Sequence, residues 1–249
     1  GYGMPVYRIA GLNVFMEPRC SLLEGRAEQY RLTDSSMKRA DCDIIIDPQA
    51  QGFEEWLKSY RDYPVDSSEY TWFGYRFYCE LIHHGGFFLH ASAVSLDNRA
   101  YLFSADSGTG KSTHTGLWLE YFGKGRAFLI NDDKPALRKG DSGYLACGTP
   151  FSGKHDLSRN AMVPVQALCF LERAPENSIR KIESREAVRR VFTQIMRSAD
   201  RTVMEEILAM LDSFLSSVPV YVLRCNISED AVKAAYDAMR PRVPGADKG

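Results

Sequence analysis

The chain has 249 residues, 45% of them apolar and 12% aromatic, which excludes a disordered chain and fits one large or two small globular domains. With Lys+Arg at 31 and Asp+Glu at 32, the formal net charge of -1 gives no global field that would favour a nucleic acid or an anionic membrane. No apolar run approaches the ~20 residues of a bilayer span and no leader pattern is visible, so a cytoplasmic protein without membrane or nucleic-acid partners is expected.

Gly1-Tyr2-Gly3 precede Met4 and are set aside. Apolar stretches between polar breaks predict short strands at 6–10, 12–15 and 42–47. Asp66-Ser67-Ser68-Glu69 offers a helix start, and Gly85-Gly86 stops the aromatic-rich segment that follows, whose Tyr70, Trp72, Phe73, Tyr75, Phe77 and Tyr78 read as core. A strand-rich region at 4–86, packed on the remainder, is thus separated from a core at 87–242. That core begins with a strand at 87–94, a turn at 96–99 and a strand at 100–103 that feeds a Gly/Ser loop. A helix at 112–122 and a strand at 127–130 follow. Beyond them come a hairpin around 139–143, strands at 165–171 and 218–223, and helices at 185–196, 201–215 and 228–239. The six cysteines are scattered without a CxxC pair and read as small buried hydrophobes.

Ala105-Asp106-Ser107-Gly108-Thr109-Gly110-Lys111-Ser112 fits the phosphate-loop pattern, with Ala in place of the first Gly. Its glycines let successive N–H groups turn toward one phosphate, and the N-terminus of the next helix adds partial positive charge. Ser107, Gly108, Thr109, Gly110, Lys111, Ser112 and Thr113 are therefore the candidate nucleotide contacts, with Lys111 reaching the outer phosphates and the Ser112 hydroxyl available to Mg²⁺.

Asn131-Asp132-Asp133 ends the next apolar strand, 21 residues from Lys111 to Asp132, enough for one helix and a returning strand. Carboxylates at the end of a buried strand need a partner, and a metal beside bound phosphate would supply one. One carboxylate can hold the ion while the other accepts a proton from an attacking hydroxyl. His90 is expected on the strand preceding the loop strand, next to the phosphate loop, and Cys147-Gly148-Thr149-Pro150-Phe151-Ser152-Gly153-Lys154 offers a second, weaker phosphate-contacting loop. Arg197 and Arg201 are candidates for substrate contact.

The combination of His90, the Ser-Gly-Thr-Gly-Lys-Ser loop and Asp132-Asp133 resembles the C-terminal kinase domain of HPr kinase/phosphorylase, whose nucleotide-binding core is shared with phosphoenolpyruvate carboxykinase. The resemblance runs from about residue 90 to 154 and implies an α/β fold with a mixed sheet around the phosphate loop and helices outside. It implies ATP and Mg²⁺ as cofactors, Asp132 as base toward a hydroxyl, Ser112 and Asp133 at the metal, and Lys111 and His90 in the catalytic centre. It also implies a homo-oligomer. Thr113-His114 stands where HPr kinases carry an acidic residue, and their arginine-bearing signature for HPr is not found, so HPr itself is not the expected acceptor. The expected activity is transfer of the γ-phosphoryl group to a serine of a peptide or protein, or to a small-molecule alcohol. The alternatives are a nucleotide-binding sensor or assembly protein without transfer, and a phosphorylase or ATPase using the same site.

Overall fold

The computed structural model describes residues 3–106 and 108–242. The chain opens with the hairpin β1 (Val6–Ile9) and β2 (Leu12–Phe15), turned by Ala10 and Gly11 at φ of 53° and 78°, and β3 (Ile44–Ile45) adds to β2 in parallel. Helices make up much of what the sequence suggests is a strand-rich region: α1 (Ser21–Ala27), α2 (Phe53–Leu57) and α3 (Val65–Ile82) all precede residue 86. The first two are too short to show helical periodicity, α1 burying only Leu23 and Ala27, one turn apart. The third was legible because Trp72, Phe73, Phe77 and Leu81 form a long buried face. Tyr75, expected in that core, is 56% exposed.

The main sheet contains β4 (Gly86–Phe88), β5 (Ser92–Leu96), β6 (Arg99–Ser104), β7 (Ala127–Asn131), β8 (Ala136–Gly140), β9 (Gly143–Cys147), β10 (Met162–Arg173), β11 (Ser178–Ile182) and β12 (Val220–Cys225). Its order is β4-β8-β9-β10-β6-β5-β7, with β12 also on β10 and β11 beyond it. β10 has an antiparallel part and a parallel part. Its residues Met162 to Pro164 pair antiparallel with β9, and from Val165 on it runs parallel to β6, with a register shift between Val165 and Ala167, and then to β12. Pro164, which has no N–H to give a ladder, stands where the pairing changes, and the mixed sheet curls around this strand.

The predicted strand at 87–94 is broken. Leu89-His90-Ala91 leaves the ladder because the His90 amide donates to the Gln194 carbonyl at 2.8 Å and the Ala91 amide to the Asp133 carbonyl at 3.1 Å, so His90 lies between β4 and β5 rather than on a strand. Four helices flank the sheet: α4 (Lys111–Phe122), α5 (Ser184–Val191), α6 (Arg201–Ser217) and α7 (Glu229–Met239). α5 stops short of the predicted 196 because Ile195 pairs with Leu89 instead. The last two helices start where Asp200 and Ser228 accept the N3 amides of Val203 and Ala231.

One apolar core joins Tyr7, Ile9 and Trp72 to Leu168 and Phe214, so the first 86 residues share it with the main sheet. A second core, with Phe103, Trp118, Leu171 and Met239, lies between that sheet and α4 and α7. The six cysteines are free thiols, and no helix of the described residues is long and apolar enough to cross a membrane.

Candidate functional site

Strand directions assemble the site. β5 lies between β6 and β7 and runs antiparallel to both, so the beginning of β5 and the ends of β6 and β7 meet at one edge of the sheet. Three stretches far apart in sequence converge there: the glycine loop after β6, the acidic pair after β7, and His90 and Ser92 before and at the start of β5. Such a sheet end is where open α/β proteins bind ligands.

Of the candidate loop residues, Ser107 lies outside the described residues. Gly108 and Gly110 both take positive φ, 80° and 88°, and α4 begins at Lys111 directly after Gly110. A side chain at either glycine would strain the turn, whereas glycine adopts it without cost. Arg173, at the end of β10, donates to the Gly108 carbonyl at 2.6 Å and ties the loop to the sheet.

The acidic pair is held from several sides. Ser112 Oγ donates to Asp132 Oδ2 at 2.8 Å, and the buried Ser92 hydroxyl donates to Oδ1 at 2.6 Å. Asp133 is bonded to Lys134 Nζ at 2.8 Å, so Ser112 meets Asp132 and not the neighbour with which a shared metal was expected. Fully buried Asn131 fixes the turn: its Oδ1 accepts the Asp133 and Lys134 amides at 2.9 and 2.8 Å, while its Nδ2 donates to Thr149 Oγ1 at 3.2 Å. The fully buried Asn131 therefore joins the acidic turn to the loop after β9, a role no motif announced.

A cleft of about 730 Å³ opens over this pair, and its lining includes Lys111, Ser112, Asp132, Asp133, Lys154 and Arg26. His90 is not among the described residues that line it. It lies half-buried behind, its ring 5.2 Å from Phe88, and burial lowers its pKa while the Asp133 charge opposes that shift. The N-terminal region contributes two residues that sequence reasoning missed. Arg26 of α1 donates to the carbonyls of Gly153 and Lys154 and stacks over the Tyr70 ring at 4.7 Å. Tyr70 of α3 takes the Ser152 amide at 2.8 Å and the Gly153 amide at 3.3 Å on its hydroxyl. Neither had a sequence signal, since a lone Arg on a short helix and one Tyr among many look like surface and core. Ser152 also lines the cleft, 2% exposed, with its hydroxyl unpartnered among the described residues.

On the other side of the same loop, Thr109, Gly110 and Thr113 line a second hollow of about 490 Å³ whose walls include Leu117, Leu171 and Ile227. His114 is at its edge, 4% exposed, its Nε2 accepting from Trp118 Nε1 at 3.0 Å. Burial holds His114 at about 4, against its ordinary 6.5. Between those values the unfolded chain binds a proton that the folded chain refuses, so stability is full above pH 6.5 and falls as the pH drops toward 4. About 2 kcal/mol is expected to be lost between pH 7 and pH 5 in urea unfolding. His114→Gln keeps an acceptor for Trp118 and is expected to flatten that slope; an unchanged slope would refute this assignment.

The remaining candidates separate. Arg197 lines an aromatic cavity beside the cleft, whereas Arg201 is on the surface, paired with Glu205 at 3.2 Å. No group of three or more His, Cys, Asp or Glu among the described residues could hold a metal by itself. No protein-family model matches the chain, and no curated protein matches its sequence.

Proposed function

We propose that the protein is an ATP- and Mg²⁺-dependent kinase with a phosphate-loop core of the HPr kinase and phosphoenolpyruvate carboxykinase type, transferring the γ-phosphoryl group to a hydroxyl. The observation that carries this reading is the position of the glycine loop between two hollows. One is largely apolar and suits a nucleoside, and the other holds Lys111 and a carboxylate bonded to the first hydroxyl of α4. A triphosphate laid along the loop would have its base on one side and its transferable group on the other.

A Mg²⁺ ion fits the donor set. It takes oxygen ligands, typically one or two carboxylates with substrate phosphates and water, and the site presents the Ser112 hydroxyl and the Asp133 carboxylate, which would hold it while Asp132 is left for the proton. When bound, the ion would neutralise charge on the phosphates. Loop N–H groups and Lys111 hold the phosphate oxygens, and the helix N-terminus adds to their field. Asp132 accepts the acceptor's proton on Oδ2, the oxygen facing Ser112, because Oδ1 is held by Ser92 from the buried side. Arg26 and Tyr70 keep the 150–154 loop closed against the acceptor side.

Calorimetric titration with ATP and Mg²⁺, alongside transfer from labelled ATP to seryl peptides, tests the reading. Lys111→Ala is expected to weaken ATP binding by about tenfold or more through loss of a charge-assisted contact. Unaltered affinity would reject the loop as the nucleotide site, and tight binding without any transfer would favour a sensor.

A further inference from the structure

Beside the acid cleft is a cavity of about 230 Å³, walled by Tyr70, Thr71, Tyr78, Phe88, Phe151 and Met196. It continues the cleft. Tyr70 and Thr71 line both spaces, and at two further places the boundary falls between consecutive residues: Asp133 lines the cleft and Lys134 the cavity, Ser152 the cleft and Phe151 the cavity. α3 forms a common wall, from Ser67 in the cleft to Cys79 in the cavity, about 18 Å at 1.5 Å per residue. Gly74 is part of the wall, and a Cβ there would approach the Phe151 ring to 2.9 Å and force that ring to shift.

We propose that this cavity binds a large apolar side chain, aromatic before aliphatic, of a seryl or threonyl peptide whose hydroxyl lies in the acid cleft. The inference rests on the kinase reading above and names its acceptor. A dry cavity of about 150 Å³ accepts a benzene ring, so the space here suits one phenyl or indole group. The α3 residues of the cleft and of the cavity are centred about five positions apart, about 8 Å along the helix axis. An extended peptide covers that distance in two or three residues, at about 3.3 Å each. The combined site is longer than a small alcohol would fill. Of the two charged residues of the cavity, Lys134 is paired with Asp133 and Arg197 is a cation, so charge next to the apolar side chain is acidic or absent.

The test uses the full chain and alanine-based nonapeptides carrying 4-fluorophenylalanine three residues from a central position, on either side. With alanine at the centre and no nucleotide, fluorine NMR is expected to show saturable binding. Thr71→Trp is expected to weaken it at least tenfold, because Thr71 is exposed on α3 and an indole there occupies the cavity without crossing the core. With serine at the centre and ATP present, phenylalanine in place of alanine at that position is expected to raise kcat/KM about tenfold or more. The proposal is overturned if the ring does not bind, if a Thr71→Trp protein with the wild-type melting temperature binds it equally, if ATP displaces it, or if phosphorylated peptides show no apolar preference. Ring binding that Thr71→Trp blocks, with no phosphate on any peptide, overturns the kinase reading and the acceptor role together. That outcome is distinguishable from the first because the ring still binds.

Discussion

Asp132→Asn is expected to slow phosphoryl transfer by about a thousandfold while leaving ATP affinity within about threefold of the wild type. General-base catalysis contributes roughly 10²- to 10⁴-fold, and the amide keeps the size of the carboxylate while losing its capacity to take a proton. The surroundings make the substitution informative. Two hydroxyls donate to Asp132, Ser112 at 2.8 Å and Ser92 at 2.6 Å; an amide oxygen can still accept from one, and the other has to turn away from the new NH₂ group. Ser92 has Thr115 Oγ1 within 2.9 Å as an alternative partner, so the buried side can adjust. Single-turnover transfer and calorimetric ATP binding, measured on the same preparation, separate the two effects. A parallel fall in both would assign Asp132 to holding the ion, and full transfer would remove the base from this position.

Gly148→Ala is expected to cost at least about 3 kcal/mol of stability. The added Cβ would lie 1.8 Å from the Arg159 carbonyl oxygen and 2.8 Å from the Ile130 carbonyl oxygen. Both obstacles are backbone, and both belong to the ladder that carries the acidic pair: the Arg159 amide donates to Ile130 O and the Gly148 amide to Ala161 O, each at 3.0 Å. A flexible side chain would yield, but here two segments have to separate, and overpacking of that kind exceeds the usual cost of one extra methyl group. Urea unfolding and the soluble yield measure it. An alanine variant within about 1 kcal/mol of the wild type would mean that the close approach relaxes cheaply. Because Thr149 is the partner of Asn131, any surviving protein is also expected to transfer phosphate more slowly.

The two predictions concern parts of the site that were unequally legible in the sequence. Lys111, Ser112 and Asp132 could be found from local pattern because glycines, a lysine and a hydroxyl at fixed spacing follow from what a phosphate demands of a backbone turn, and because 21 residues allow one helix and a return strand. The Ser112–Asp132 contact at 2.8 Å agrees with that arithmetic. What packs from a distance was hidden. Arg26 is 128 residues from the carbonyl of Lys154 that it bonds, and no local signal announces such a contact. The largely apolar run from Phe87 to Val94 predicts one strand through His90, and nothing in it reveals that the amides of His90 and Ala91 are bound to the carbonyls of Gln194 and Asp133. The short helices α1 and α2 failed for a different reason, since one or two turns cannot display a period.

The place of β10 in the main sheet bears on how the molecule comes into being. β6, which delivers the glycine loop, has β10 as its parallel neighbour, and β10 in turn has β12 on its other side. The loop thus precedes the strand that flanks it by about sixty positions, and that strand precedes its own outer neighbour by about fifty. Contacts of such sequence separation form slowly, because the entropy of closing the intervening chain comes before any ladder is made. During synthesis, a nascent chain that has passed the loop and the acidic pair still exposes one flank of β6, and an unpaired flank is a place where another chain can add. The site therefore takes shape late, when the second half of the chain closes over a flank that the first half leaves open.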